Sequence, residues 1–136
     1  MNVVAVVVSY QPLLEGLGAL LDALVSQVDS VVVVDNGSEV DFGGWLEKYH
    51  AHSIHGIFLG SNTGVAAAQN VGIDWARRQG AHYVVLFDQD SLPAPDMVRC
   101  LIKAVQVKQV AGCKVAAVGP RYLDERQDNP PPFIRV

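Results

Sequence analysis

Asp88 and Asp90, in the stretch Phe87-Asp88-Gln89-Asp90-Ser91, are the residues whose type and spacing best fit chemistry. Successive side chains of a strand point to opposite faces, so two carboxylates one residue apart serve one site only if the backbone turns. Ser91, Leu92 and Pro93 permit that turn. Such a pair suits a hard cation: Mg²⁺ or Mn²⁺ takes oxygen ligands, keeps several waters, and is commonly held by one or two carboxylates while bridging the oxygens of a phosphate or diphosphate. The competing role for Asp90 or Ser91 is to cap the helix that follows. The preceding run, Tyr83-Val84-Val85-Leu86, is apolar enough to be read as a strand buried on both faces, with its C-terminal end where open α/β sheets present ligands.

The elements that must position this pair are legible as an alternation. Residues 3–9 form a first buried strand, stopped by Tyr10-Gln11-Pro12, where Pro12 fits the first turn of a helix. Leu13, Leu14, Leu17, Leu20, Leu21, Leu24, Val25 and Val28 recur at helical spacing. Residues 31–34 are an all-valine strand ending in the turn sequence Asp35-Asn36-Gly37-Ser38, and a short helix is expected over 45–50. A third strand, 54–59, is interrupted by His55 and Gly56. The break at 60–64 precedes a helix over 65–79 with Gly80 as its stop, then a strand over 82–87. Pro95 opens a helix carrying Met97, Val98, Leu101, Ile102 and Val105 on one face, and 115–118 read as a fifth strand. The expected fold is α/β, a mostly parallel sheet with helices on both faces, Rossmann-like, built by residues 1–122. Residues 123–136, charged and then Pro130-Pro131-Pro132, read as a loop or tail.

A chain of 136 residues is one domain and buries about two thirds of its unfolded surface without staples. The net charge of −4, with Arg77-Arg78 the only adjacent basic pair, excludes nucleic acid as a partner. Cys100 and Cys113 sit in apolar sequence without CxxC spacing and are expected as reduced core thiols. The run 3–8 is too short for a membrane span and lacks the marks of a signal peptide, so a soluble, cytoplasmic protein without a transmembrane segment is expected. His50, His52 and His55 offer a chelating spacing but no fourth ligand nearby, and read as polar surface.

The loops after the strands separate the α/β classes. No GxGxxG follows the first strand, so a dinucleotide fold is excluded although Asp35 would suit one. Ser9 and Tyr10 stand where a receiver domain needs an acidic pair, and no Walker loop is present. There remain Ser9-Tyr10, Asp35, the stretch 62–70 and Asp88-Gln89-Asp90 at consecutive strand ends, hence along one edge of the sheet.

Four segments, taken together, resemble a known family: Val6-Val7-Val8-Ser9-Tyr10; Val33-Val34-Asp35-Asn36-Gly37-Ser38; Asn62-Thr63-Gly64-Val65-Ala66-Ala67-Ala68-Gln69-Asn70-Val71-Gly72-Ile73; and Leu86-Phe87-Asp88-Gln89-Asp90-Ser91. The chain is similar, up to about Tyr122, to the inverting family-2 glycosyltransferases of GT-A fold, in their rhamnosyltransferase-like branch. The resemblance implies that Asp35 accepts a hydrogen bond from the pyrimidine N3–H, a group only an acceptor can read, with Ser9 and Tyr10 lining the base and Asn36 among the nucleotide-sugar contacts. An Asx-turn closing the loop to Ser38 is the alternative for Asp35. Gly64 is placed to bring backbone N–H groups near ligand and Gly72 to pack closely on the sheet. Asn62 and Asn70 flank the donor site by resemblance, against a helix cap and a buried hydrogen-bonding spacer respectively.

By the same resemblance Asp88 meets the ribose or nucleotide side and Asp90 ligates Mn²⁺ or Mg²⁺ on the diphosphate, offsetting charge on the departing nucleoside diphosphate. Gln89 with Ser91 points to the rhamnosyl branch and a dTDP-rhamnose donor, and Gln89 is counted among the nucleotide-sugar contacts. The implied acceptor is a saccharide or lipid-linked saccharide, as in polysaccharide biosynthesis, and peripheral membrane association of the full enzyme is allowed. An inverting transferase also needs a general base. In the resembling family it lies downstream of these residues, and Asp124, Glu125 and Asp128 do not match its context. The chain is therefore expected to be the donor-binding half of a transferase, with a non-catalytic nucleotide-sugar-binding or assembly module as the alternative.

Overall fold

The computed structural model describes residues 1–39, 41–49 and 53–121. Strands β1 (Val3–Ser9), β2 (Ser30–Asp35), β3 (Ile54–Phe58) and β4 (Tyr83–Asp88) alternate with helices α1 (Leu14–Val25), α2 (Phe42–Lys48) and α3 (Val65–Arg78), and α4 (Met97–Val110) follows. The sheet order is β3-β2-β1-β4, every pairing parallel. All the C-terminal strand ends therefore lie along one edge. The chain steps from β1 to β2 to β3 and then crosses back to lay β4 on the other side of β1. The crevice between the ends of β1 and β4 is thus a topological switch point, where open α/β sheets bind ligands. The chain divides into two compact units, Met1–Asp96, which holds the sheet with α1, α2 and α3, and Met97–Val136, whose described part is α4 and the irregular 111–121.

Valine runs make β1 and β2 because branched side chains suit a pleated surface covered on both sides. Val4, Val6, Val8, Val32 and Val34 form one core cluster with Ala68 and Ala76 of α3, edged by Ile57, Leu59, Val71, Trp75 and Ala81. Gly72 lets α3 settle there, since a Cβ at this position would stand 2.3 Å from Val6 Cγ1 and 3.2 Å from Val34 Cγ2. The alternate residues Ala5, Val7, Val31 and Val33 face the other way and are equally inaccessible. On that side α1 packs on β2, burying Leu17, Leu20, Leu21 and Leu24. Full burial of such a side chain contributes about 1.5–3 kcal/mol. Tyr49, just past α2, reaches α1 and donates its hydroxyl to Gly18 O at 2.5 Å, while its ring lies 5.2 Å from that of Trp45.

Several sequence expectations shift. The strand expected to be buried on both faces is β4, yet Val84 and Leu86 are 36% and 45% exposed. They pair with Val4 and Val6 and so face the α3 side, but α3 lies mainly over β1 and β2, and β4 is an edge strand. No fifth strand forms at 115–118, where 113–121 are irregular. A short apolar run becomes a strand only when a partner strand is available to its backbone. Cys100 and Cys113 are exposed, not core. Pro12 precedes α1 instead of opening its first turn, because Leu13 occupies the N-cap in an extended conformation. Val28 falls beyond that helix. Helix α2 begins three residues earlier than expected, where Asp41 caps it by accepting from Gly44 N at 3.1 Å and Phe42 is buried against Trp45 and Phe58. His55 is exposed with its ring 4.8 Å from that of Trp75. His50, His52, the tail 123–136 and the acids at 124, 125 and 128 lie outside the described residues. No helix among the described residues is long and apolar enough to cross a membrane.

Candidate functional site

Register brings the expected residues together. Ser9 pairs with Asp35 across β1 and β2, and Val8 pairs with Asp88 across β1 and β4, so Ser9, Asp35 and Asp88 stand side by side at the C-terminal edge. Asp35 is 4% exposed, and burial of a carboxylate demands partners. Its Oδ1 accepts from Ser9 Oγ at 2.9 Å and Ser38 Oγ at 2.5 Å, and its Oδ2 accepts from Ser38 N at 2.8 Å. The turn-closing role of Asp35 is thus realised. The two carboxylate oxygens offer about four acceptor positions, and the three bonds leave one on Oδ2 for a further donor.

Asn36, 2% exposed, ties the end of β2 to the loop between β3 and α3. Its Oδ1 accepts from Thr63 N at 2.8 Å and Thr63 Oγ1 at 3.1 Å, and its Nδ2 donates to Asn62 Oδ1 at 3.1 Å. Asn62 Oδ1 also accepts from Gly64 N at 2.9 Å, so Asn62 shapes the loop, and the helix cap is Gly64 itself. Gly64 has φ +87°, a conformation that side chains rarely adopt, and open space where a Cβ would be. Gly37 is doubly required: its φ is +90°, and a Cβ there would come within 2.7 Å of the Ser61 backbone. Asn70 is exposed, which removes its reading as a buried spacer, and it sits within α3 a turn and more from the helix start.

The acidic pair behaves as its spacing predicts. Asp88 ends β4, residues 89 and 90 turn, and Ser91 N bonds Asp88 O at 3.1 Å. Both carboxylates are exposed. Helix α4 starts at Met97, so neither Asp90 nor Ser91 caps it. Among the described residues no cluster of three or more metal-ligating side chains occurs. Asp88 and Asp90 are the residues that could hold Mg²⁺ or Mn²⁺, ions commonly held by one or two carboxylates with phosphate oxygens and water completing the shell. Tyr10, 45% exposed, sits opposite across the switch point. Its N–H donates to Gln89 Oε1 at 2.8 Å and its carbonyl accepts from Gln89 Nε2 at 3.1 Å.

Sequence reasoning missed Gln11 and Thr63 as parts of the site and named Ser38 only as the end of the turn that Asp35 closes. Gln11 adopts φ +46°, donates its N–H to Ser38 Oγ at 2.9 Å and accepts from Glu39 N at 3.0 Å through Oε1. The spacing Asp35 to Ser38 was a usable turn signal. Nothing local marks Gln11 or Thr63, whose partners come from other strand ends.

The chain is 33% identical over 135 residues to the dTDP-rhamnosyl transferase RfbF of Shigella flexneri, covering 99% of this chain and 43% of that protein. It is 31% identical over 96 residues to the polyprenol monophosphomannose synthase of Mycolicibacterium smegmatis, covering 68% of this chain and 34% of that protein. The chain thus spans less than half the length of either relative. The fold matches the crystal structure of S. aureus TarS 1-349 with a TM-score of 0.62 at 24% identity, over 81% of this chain and 33% of the other. The model of glycosyl transferase family 2 matches residues 4–134, the span that holds all four strand ends of the candidate site, and the chain belongs to that family.

Proposed function

We propose that this chain binds the donor in a glycosyltransferase that takes a pyrimidine nucleoside-diphosphate sugar, dTDP-rhamnose, and passes the sugar with inversion to a saccharide or lipid-linked saccharide. The observation that carries this reading is the meeting of Tyr10, Asp35, Asp88 and Asp90 at the edge where β1, β2 and β4 end. The choice of donor rests on similarity to a protein named a dTDP-rhamnosyl transferase across nearly the whole chain.

Asp35, held by Ser9 and Ser38, offers the remaining lone pair of Oδ2 to the pyrimidine N3–H. Adenine and cytosine have no donor at the matching ring nitrogen, so an acceptor at this position favours thymine and uracil over both. Tyr10 lines the base on its exposed side. Asp88 and Asp90 would hold Mg²⁺ or Mn²⁺ against the diphosphate, and the bound metal would offset the charge that builds on the leaving nucleoside diphosphate.

Calorimetric titration with thymidine, uridine and adenosine diphosphates, each with and without Mn²⁺, tests the reading. Thymidine and uridine diphosphates should bind more tightly than adenosine diphosphate. Mn²⁺ should strengthen binding by about tenfold or more, and Asp90→Ala should remove most of that gain. Equal affinity with and without cation would end the metal role of Asp88 and Asp90, and equal affinity for the three bases would end the role of Asp35.

A further inference from the structure

We propose that Gln89 is a positioning residue whose side-chain amide acts as an added rung of the sheet, holding the turn at 88–90 in register with Tyr10. It thereby sets the spacing between the group that lines the base and the carboxylates that meet the diphosphate. The proposal rests on the nucleoside-diphosphate reading of the site.

The two sides of β1 end differently. Towards β2, register runs through Ser9 and Asp35, and Asn36 N bonds Ser9 O at 2.7 Å one step further. Towards β4, register stops at Val8 and Asp88, because the chain turns there to satisfy the Ser91 N to Asp88 O bond. Tyr10 would be left with its N–H and carbonyl facing an absent strand. Gln89 supplies both partners from one planar group, Oε1 to the N–H at 2.8 Å and Nε2 to the carbonyl at 3.1 Å. A flipped amide would set donor against donor and acceptor against acceptor, so this pairing fixes orientation as well as distance. Asparagine is one methylene too short to span the same gap, and glutamate lacks the donor.

The clasp sits at the topological switch point, where the ligand site is expected. On its other side the same loop is fastened by Gln11 to Ser38 and Glu39. Tyr10 is therefore held from both flanking strand ends although it is exposed. Fixing two subsites at one spacing before the ligand arrives reduces the ordering cost of binding a molecule that spans both. A ligand that occupies only one subsite gains little from the clasp.

The test compares the 136-residue chain with Gln89→Ala and Gln89→Glu. Thymidine, and thymidine diphosphate with Mn²⁺, are titrated into each, and hydrogen exchange is followed at the Tyr10 amide. Gln89→Ala should keep thymidine affinity within about threefold while thymidine diphosphate with Mn²⁺ weakens about tenfold or more, because the lost quantity is the linkage between subsites. Gln89→Glu should weaken it as well, although a third carboxylate beside Asp88 and Asp90 would by charge alone strengthen metal binding. Exchange at the Tyr10 amide should quicken in Gln89→Ala, which removes its acceptor, and less in Gln89→Glu, which keeps a carboxylate oxygen there. Overturning results are unchanged binding of thymidine diphosphate with Mn²⁺ in Gln89→Ala, an equal loss for thymidine and its diphosphate, or tighter binding in Gln89→Glu. A wild-type chain that binds neither ligand would remove the nucleotide reading and this proposal with it, whereas wild-type binding that Gln89→Ala leaves intact removes this proposal alone.

Discussion

Asp35 places two demands on one carboxylate: it closes the loop after β2 and leaves an acceptor for a ligand. Ser9 Oγ is buried and donates to it, so Asp35→Ala strands that hydroxyl and releases Ser38. The loss of a buried partner costs about 1–3 kcal/mol. Urea denaturation should show an unfolding free energy lower by that amount, and thymidine should bind more weakly even at temperatures where the variant remains folded. The carboxylates were legible because each follows a valine run or apolar run directly, and a strand end is a local feature. Their hydrogen-bond partners were not. Ser38 reaches Asp35 within one turn and could be anticipated, but Gln11 reaches Ser38 and Glu39 across two strand ends, and no pattern within either segment records the other.

At the scale of elements, α3 meets the sheet through small residues. Gly72→Ala would drive a methyl into Val6 and Val34 and lift the helix, at a cost of about 1–3 kcal/mol for overpacking. Val6→Ala should relieve part of it, so the double variant should be more stable than the sum of the single changes predicts, as a denaturation cycle would show. The close approach was readable from Gly72 inside an otherwise regular helix. The uncovered face of β4 was not, since Val84 and Leu86 look like any buried strand residues until α3 is seen to lie mainly over β1 and β2. In the 136-residue chain Leu86→Lys should therefore shift stability by no more than about 0.5 kcal/mol, as for an ordinary surface change. The contact between Tyr49 and α1 gives a pH signature. Burial first, and then the Asp22 carboxylate beside it, push the Tyr49 phenol up to about 12 from its ordinary value of 10.0. The folded state holds this proton more tightly than the unfolded chain, so its contribution is complete below pH 10 and is lost as pH rises from about 10 to about 12. Denaturation of wild type and Tyr49→Phe in parallel should show the wild type losing stability relative to the variant over that interval.

For the whole molecule, a ligand that binds only the folded state must raise its stability. At a free concentration of 100 times its dissociation constant, thymidine diphosphate with Mn²⁺ should add about 2.7 kcal/mol, read as a higher unfolding temperature that Asp90→Ala largely abolishes. The alternation of strands and helices, the parallel class of the sheet and the row of polar residues at its strand ends were determined by the sequence itself. Each depends on composition within a few residues, on valine runs, helical spacing and turn residues. Tertiary structure decided the rest. Strand order placed β1 between β2 and β4 and so made Asp35 and Asp88 flank Ser9 and Tyr10. The apolar run at 115–118 formed no strand, while Gln89 met Tyr10 from 79 residues away. Strand pairing and side-chain clasps join segments far apart in the chain, and their partners exist only once folding has brought the backbones together.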